Sequence, residues 1–322
     1  MNKSAIQHIL VVDDEKTYCN LLCGFFHNLG YHCESAPNAA EALKRIHDNP
    51  HDLVVTDIRM PGSDGLDLMR QARQKYPDLA FIIMTGFAAE HTYIDIINAG
   101  ATDFIHKPFD LNELRAKVRR IEKEKSILLR LERTLDATVH ALATAVESRD
   151  PYTAGHQKRV ADLALAIAKE MEMAEEQANG VYIGAIIHDI GKIMVPAEIL
   201  SKPSRLTKAE FELIKAHPEV GYDILKAIEF QWPIAQIVLQ HHERMDGSGY
   251  PAGLKDQQIL PQARILAVAD TVEAMASHRP YRPALGLEKA LQEISNNSGR
   301  YDEQVVQACL QLFAKGAFEF TA

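Results

Sequence analysis

The stretch Ile9-Leu10-Val11-Val12-Asp13-Asp14 places a short apolar run directly before two carboxylates. Similar apolar runs occur at 53–56, 81–85 and 102–105, and a weaker, more polar run occurs at 31–35. Amphipathic helical patterns lie between these runs, and several of them end at Gly or Pro. Strands that alternate with helices indicate βαβ units. We therefore predict an α/β, doubly wound domain with a five-stranded parallel sheet.

Charged and hydroxyl side chains follow the predicted strands at their carboxyl ends: Asp13, Asp14, Asp57, Thr85 and Lys107. Such groups gather at one edge of an open parallel sheet. Three carboxylates repel one another unless a hard cation such as Mg²⁺ lies among them. A carboxylate beside that cation can accept a phosphoryl group, whose oxygens Thr85 and Lys107 would bind. The alternative, in which each Asp caps a strand end, suits one Asp better than the whole set.

Four segments carry a resemblance to a known family: Val11-Val12-Asp13-Asp14-Glu15, Asp57-Ile58-Arg59-Met60-Pro61-Gly62, Met84-Thr85-Gly86 and His106-Lys107-Pro108-Phe109. With them, residues of about 5–122 resemble a response-regulator receiver domain. The resemblance implies that Asp57 is the phosphoacceptor and that Asp13 and Asp14 hold Mg²⁺. It also implies that Thr85 and Phe104 switch conformation, that Lys107 belongs to the same site, and that a cognate histidine kinase is a partner.

Residues 111–146 contain neither Gly nor Pro and read as one long helix. Its apolar positions follow two registers, one through Leu114, Val118, Ile121 and Leu128 and another through Leu131, Leu135 and Leu142. Lys125 interrupts the first register. The pattern suits a connecting helix packed on its own chain, and it suits a coiled coil that forms a homodimer.

The chain beyond about residue 148 shows helical periodicity without strand signals, which predicts an all-α domain. We expect a receiver domain over 1–122, a connecting helix over 111–146 and a helical domain over 147–322.

Histidines and acids in this second part stand at the ends of apolar helical patterns. His188-Asp189 and His241-His242 each close an apolar helix, Asp270 follows an apolar run, and His217 ends a helix that begins near Lys208. A lone His on an apolar helix face is more often a core residue than a metal ligand. The two adjacent pairs, His188-Asp189 and His241-His242, together with Asp270 favour a metal site. Imidazole and carboxylate ligands suit Fe, Mn, Ni, Zn or Co alike. A bridging carboxylate such as Asp189 would hold two ions about 3.5–4 Å apart, the arrangement for in-line phosphoryl displacement.

Six segments carry a second resemblance: 147–156, His188-Asp189-Ile190-Gly191-Lys192, His217-Pro218, 241–251 with Gly249-Tyr250-Pro251, Asp270, and Arg279-Pro280-Tyr281-Arg282. With them, residues of about 145–315 resemble an HD-GYP domain, an HD-type phosphohydrolase that cleaves cyclic di-GMP. The resemblance implies two divalent transition-metal ions held by His156, His188, Asp189, His217, His241, His242 and Asp270. It implies that Asp189 and Lys192 are catalytic, and that Lys192, Tyr250, Arg279 and Arg282 contact the substrate.

Two positions depart from this family's pattern. Tyr152 stands where some members place a glutamate that helps to hold a third metal, so we expect two metals. Glu273 stands where an aspartate is usual, and its longer arm is expected to change the pocket or its hydrogen bonding.

Together these patterns predict a response regulator whose phosphorylation controls metal-dependent hydrolysis of cyclic di-GMP to pGpG, with onward cleavage to GMP left open. The alternatives are a catalytically slow cyclic di-GMP sensor or docking module, and an HD phosphohydrolase for another nucleotide. The formal net charge of −9 argues against DNA as a partner. Apolar runs are too short for membrane insertion or a signal peptide, and the four cysteines form no CxxC pair, so we expect a cytoplasmic protein.

Overall fold

A computed structural model of the chain describes residues 5–62, 64–86, 93–149, 155–278, 284–297 and 299–320. The chain divides into two units, Met1–Thr134 and Leu135–Ala322. Within the described ranges, no helix combines the length and the apolarity needed to cross a membrane. Cys19, Cys23, Cys33 and Cys309 are all described and are all free thiols.

The first unit alternates strands and helices along the chain. Its elements are β1 (His8–Val12), α1 (Lys16–Asn28), β2 (His32–Ala36), α2 (Ala39–Asp48), β3 (Leu53–Asp57), α3 (Gly65–Lys75), β4 (Ala80–Thr85), α4 (Tyr93–Asn98), β5 (Asp103–His106) and the start of α5 (Leu111–Glu147). The strands form one parallel sheet in the order β2-β1-β3-β4-β5. The predicted five-stranded parallel sheet is confirmed, including the weak strand at 31–35.

Alternate side chains of β1 face opposite sides of this sheet. Leu10 and Val12 belong to an apolar cluster that includes Met69 of α3. Ile9 and Val11 belong to a second cluster, which includes Phe26 of α1. Because helices cover both faces, the central strands are buried throughout and the sheet is doubly wound, as predicted.

The first turns of helix α5 pack on the sheet of the first unit. Leu114, Val118 and Ile121 are buried in the same cluster as α1. Lys125 then donates from Nζ to the backbone oxygens of Asp52 and Asp78, at 3.0 and 2.9 Å. This cation interrupts the apolar stripe because it satisfies two carbonyls at the edge of the sheet.

The second unit is helical, and its described residues contain no β-strand. Its elements are α6 (His156–Glu170), α7 (Glu175–Ile187), a 3-10 turn (Ile190–Met194), α8 (Ala197–Leu200), α9 (Lys208–Lys215), α10 (His217–Leu225), α11 (Ile234–Gln240), a second 3-10 turn (Asp256–Gln258), α12 (Pro261–Ala276), α13 (Leu287–Asn296) and α14 (Glu303–Ala314). The predicted all-α architecture is confirmed.

One predicted helix end is wrong. The sequence pattern ends α9 at His217, whereas the structure ends α9 at Lys215 and begins α10 at His217. Pro218 lies in the first turn of α10, where its missing N–H costs no helical hydrogen bond. His217 therefore lies at a helix start.

Helices α6, α7 and α12 contribute much of the core of the second unit, and α11, α13 and α14 add to it. Leu163 and Ile167 of α6, Val181 of α7, and Val268 and Val272 of α12 are buried in one cluster. The start of α6, the end of α7 and the middle of α12 carry residues of the site described next, so this apolar core fixes the positions of those residues.

Candidate functional site

The structure gathers all seven residues that the sequence nominates as metal ligands. They come from the start of α6, the end of α7, the start of α10, the end of α11 and the middle of α12: His156, His188, Asp189, His217, His241, His242 and Asp270. All lie among the described residues, and they form two trios with Asp189 between them.

The first trio is His156, His188 and Asp270, whose candidate ligand atoms all lie within 4.8 Å of one another. Nε2 of His156 is 3.3 Å from Oδ1 of Asp270, and Nε2 of His188 is 3.9 Å from the same oxygen. Two imidazole nitrogens thus converge on one carboxylate oxygen.

The second trio is His217, His241 and His242, again with candidate ligand atoms within 4.8 Å of one another. Nε2 of His217 and Nε2 of His241 are 3.1 Å apart. Three neighbouring imidazoles form a nitrogen-rich set that suits a transition-metal ion.

Asp189 lies between the two trios. Its Oδ2 is 3.4 Å from Nε2 of His188, and its Oδ1 is 3.3 Å from Nε2 of His217. Each carboxylate oxygen therefore faces a different trio, which is the disposition of a carboxylate that bridges two ions.

Backbone hydrogen bonds set the orientation of three of these rings. Nδ1 of His188, His217 and His241 lies 2.7, 2.6 and 2.6 Å from a carbonyl oxygen three residues earlier in the chain. Because a carbonyl can only accept, each Nδ1 carries the proton and each Nε2 presents its lone pair to the cluster. Such outer hydrogen bonds are typical of metal-binding histidines.

Burial keeps the rings of the second trio neutral. It lowers the pKa of His217 to about 4 and the pKa values of His241 and His242 well below the usual range. Neutral imidazole is the form that binds metal. The donor set and its protonation state therefore fit two divalent transition-metal ions.

Glu273 supports His156 from outside the first trio. Its fully buried carboxylate faces Nδ1 of His156 and accepts hydrogen bonds from Nε of Arg159 and Oγ of Ser277, both at 2.8 Å. Although burial raises the pKa of Glu273, the hydrogen bond with His156 and the partners beside it lower it to about 2. The longer side chain of Glu273, in place of the usual aspartate, thus supports the ring of His156. Sequence reasoning missed Arg159, which only the folded structure brings to Glu273.

Lys192 lies against the central carboxylate, with Nζ 2.6 Å from Oδ2 of Asp189. Burial raises the pKa of Asp189, but the electrostatic interactions with His188 and Lys192 outweigh it and hold that pKa well below its usual value. Asp189 is therefore ionised across the ordinary pH range.

Gly191 allows the 3-10 turn that carries Lys192 to pass close to α10. A Cβ at this position would lie 1.9 Å from the backbone oxygen of His217 and 2.7 Å from the backbone nitrogen of Gly221. Only glycine permits this approach, which places Asp189 and Lys192 beside His217.

The Gly249-Tyr250-Pro251 segment packs on the second trio. The ring of Tyr250 lies 4.7 Å from that of His242, with 30° between their planes. Glu243, which is buried, accepts from the backbone nitrogens of Ala252 and Leu254 at 2.7 and 3.0 Å and so holds the segment in place. Sequence reasoning missed Glu243, although its place directly after the His pair is a signal for such a role. Arg279, Arg282 and Tyr152 lie outside the described residues.

In the first unit, the predicted receiver groups meet at the carboxyl edge of the sheet. Candidate ligand oxygens of Asp13, Asp14 and Asp57 lie within 4.8 Å of one another. Nζ of Lys107 is 2.6 Å from Oδ2 of Asp13 and 2.9 Å from Oδ2 of Asp57. Burial lowers the pKa of Lys107, but hydrogen bonds to both carboxylates outweigh it and raise that pKa. Three acids and one cation thus form a shallow site.

Thr85 and Phe104 lie on the neighbouring strands. Thr85 is buried at the end of β4, and its Oγ1 donates to the backbone oxygen of Gly86 at 3.4 Å. Phe104 is half-buried on β5, with Nζ of Lys117 5.4 Å from its ring centre. Gly65 allows the start of α3 to pass close to β3, since a Cβ there would lie 2.3 Å from the backbone oxygen of Asp57.

Comparisons with known proteins match both units. The family model described as HD domain matches residues 140–305, and the model described as Response regulator receiver domain matches residues 9–119.

Three curated relatives illustrate the similarity. Cyclic di-GMP phosphodiesterase of Thermotoga maritima is 34% identical over an alignment of 334 positions, which spans 94% of this chain and 90% of that protein. Cyclic di-GMP phosphodiesterase response regulator RpfG of Xanthomonas campestris pv. campestris is 33% identical over an alignment of 329 positions, which spans 94% of this chain and 87% of that protein. 3'3'-cGAMP-specific phosphodiesterase 3 of Vibrio cholerae is 36% identical over 163 residues, covering 51% of this chain and 35% of that protein.

Proposed function

Since the chain belongs to the HD domain family and carries a response regulator receiver domain before its HD domain, we propose that it is a metal-dependent phosphodiesterase that opens cyclic di-GMP to pGpG under the control of phosphorylation. Two relatives that each cover 94% of the chain are named as cyclic di-GMP phosphodiesterases. The observation that carries the proposal is the position of Asp189, whose two oxygens face two separate histidine trios.

We assign one metal to the trio of His156, His188 and Asp270 and a second to the other trio, with Asp189 shared. The donor set suits Fe, Mn, Ni, Zn or Co alike. When bound, two such ions would polarise the phosphoryl oxygens and lower the pKa of a water molecule. Glu273 would keep Nε2 of His156 directed at its metal through the contact at Nδ1.

Lys192 contributes a cation at the reacting centre. Its ammonium already lies 2.6 Å from Asp189, so it can neutralise charge on the scissile phosphate and donate a proton to the departing oxygen. Tyr250, packed on His242, forms one wall of the substrate pocket. Arg279 and Arg282 are assigned to the substrate's phosphates from the sequence motif, because guanidinium groups bind phosphate in a bidentate manner.

The receiver unit would accept a phosphoryl group on Asp57 from a cognate histidine kinase. Asp13 and Asp14 lie where they can hold the required Mg²⁺, and Lys107 can pass from Asp57 to the new phosphoryl oxygens. The hydroxyl of Thr85 would bind an oxygen of the phosphoryl group on Asp57 and change its conformation. A cytoplasmic location remains a prediction from the sequence.

A row of exposed leucines along the middle of α5 supports the proposal that the chain forms a homodimer. Leu128, Leu131 and Leu135 are 60%, 54% and 58% exposed, and Leu142 is 46% exposed. Steps of three, four and seven residues place these leucines on one stripe of the helix, which is the seam of a two-stranded coiled coil. Burying that stripe against a second copy would remove the apolar surface from water.

The proposed activity is tested by incubating the purified chain, loaded separately with each candidate metal, with cyclic di-GMP, 3'3'-cGAMP and guanine mononucleotides. We expect conversion of cyclic di-GMP to pGpG at the highest kcat/KM, because two ions can act on one phosphodiester. Binding of cyclic di-GMP without product, under every metal condition, would instead establish a sensor. A higher kcat/KM for 3'3'-cGAMP would reassign the substrate to that of the relative from Vibrio cholerae.

A further inference from the structure

Lys215 lies between two aromatic rings at the rim of the metal centre. Its Nζ is 5.2 Å from the ring centre of Phe211, one turn earlier on α9, and 5.7 Å from the ring centre of Tyr250. An ammonium group held over aromatic faces is attracted by the negative face of each ring. The two rings therefore help to position this cation.

The position of Tyr250 connects this cation to the metal centre. One neighbour of the Tyr250 ring is the Lys215 ammonium, and another is the imidazole of His242 in the second trio. Lys215 also precedes the ligand candidate His217 by two residues at the junction of α9 and α10. The ring of Tyr250 thus contacts both the Lys215 ammonium and a ligand candidate of the proposed reacting centre.

Lys215 is available to a ligand. Its side chain keeps 33% of its surface exposed, and it pairs with Glu212, at 2.9 Å, whose side chain is 67% exposed. Exposed ion pairs of this kind contribute little free energy, so an anionic ligand can displace Glu212 at small cost.

The chemistry of a cyclic dinucleotide calls for a second cation. Such a molecule carries two phosphodiester anions in one ring, and one of them at a time can occupy the reacting centre. Lys192 lies at that centre through its contact with Asp189. The remaining phosphodiester would then lie outside that centre, where an ammonium group would offset its charge.

We propose that Lys215 forms an anion subsite for the phosphodiester that is not being cleaved. This inference rests on the proposed phosphodiesterase function and extends it, because it makes Lys215 a residue that distinguishes cyclic dinucleotides from substrates with a single phosphate. Phe211 and Tyr250 position the ammonium for this contact.

The test compares Lys215→Met, which keeps the length of the side chain and removes its charge, with wild type on two substrates. For cyclic di-GMP we expect KM to rise about tenfold, the loss of one hydrogen bond to a charged group, with kcat within about twofold of wild type. For bis(p-nitrophenyl) phosphate, which has one phosphodiester, both constants should stay unchanged. Lys215→Arg should restore most of the KM.

Lys208→Met is the matched control, because Lys208 is exposed at the start of the same helix and carries the same charge. A KM unchanged in Lys215→Met, an equal rise in Lys208→Met, or an equal rise for bis(p-nitrophenyl) phosphate would overturn the subsite. Calorimetric binding of cyclic di-GMP to metal-depleted protein gives the same comparison without turnover: Kd should rise about tenfold in Lys215→Met and not in Lys208→Met. A wild type that binds cyclic di-GMP without hydrolysing it would contradict the proposed function and leave this comparison decisive for the subsite.

Discussion

Glu273 and His156 form a fully buried contact in which the carboxylate faces Nδ1 of the imidazole, while Nε2 of the same ring lies 3.3 Å from Oδ1 of Asp270. The ring therefore links a supporting acid to a candidate metal ligand. Arg159, with Nη2 2.7 Å from the same carboxylate, balances the charge of Glu273. This arrangement makes Glu273 a positioning residue for His156.

The first prediction concerns this contact. Glu273→Gln keeps the shape of the side chain but removes the charge that holds the proton on Nδ1 of His156. We expect metal affinity to fall about 10–100-fold, as is usual when the outer partner of a ligating histidine is lost. Metal titration of the folded variant measures the change. Ser277→Ala, which removes another contact of Glu273, should have a smaller effect, and equal losses in both variants would argue against a special role for the charge.

The second prediction concerns the phosphoacceptor. Asp57→Asn should abolish incorporation of a phosphoryl group from acetyl phosphate, because an amide cannot form the acyl phosphate. Asp67→Asn, at an exposed position on α3, should incorporate it like wild type. Removal of Mg²⁺ should also abolish incorporation, since Asp13 and Asp14 would repel the donor without a cation. Phosphoprotein gels or intact-mass spectra report the outcome, and full labelling of Asp57→Asn would be incompatible with the assignment.

The third prediction concerns the close approach at Gly191. Gly191→Ala places a Cβ 1.9 Å from the His217 carbonyl oxygen, so the turn or α10 must move. We expect a loss of about 1–3 kcal/mol in unfolding free energy together with weaker metal binding. Gly24→Ala on α1 has no heavy atom within 4 Å of the new Cβ and should be neutral or slightly stabilising. Chemical denaturation of both variants makes the comparison, and a neutral Gly191→Ala would refute the steric argument.

The fourth prediction concerns the exposed stripe of α5. Leu135→Lys places a charge on the proposed seam, where Leu135 is 58% exposed in the single chain. We expect sedimentation to show a shift from dimer to monomer without loss of monomer stability. Leu129→Lys, at a 42% exposed position off the stripe, should leave the dimer intact. Sedimentation of the wild type as a monomer would contradict the proposal that these leucines form a dimer seam.

The receiver site could be predicted because strand ends are visible in the sequence. Asp57 and Lys107 are 50 residues apart, yet each follows an apolar run that forms a strand of one parallel sheet. Since such strands end at the same edge, their position in the sequence was sufficient to bring the two side chains together.

The support around the metal trios could not be predicted in the same way. Glu273 lies 117 residues from His156 on a different helix, and helical periodicity gives the face of a helix but not the partner it meets. The end of α9 was also misplaced at His217, because α10 follows α9 without a glycine between them. Tertiary packing of α6 against α12 decides the contact between His156 and Glu273.

The most direct test of the account is to measure metal content and cyclic di-GMP turnover for wild type and Asp189→Ala, both purified anaerobically and loaded with the same metal. Asp189 offers one oxygen to each trio, so its removal should take away the shared ligand of both ions. We predict about two ions per chain and formation of pGpG for wild type, against a loss of bound metal and turnover at background for the variant. Turnover by Asp189→Ala at the wild-type rate, with its metal content unchanged, would contradict the central claim.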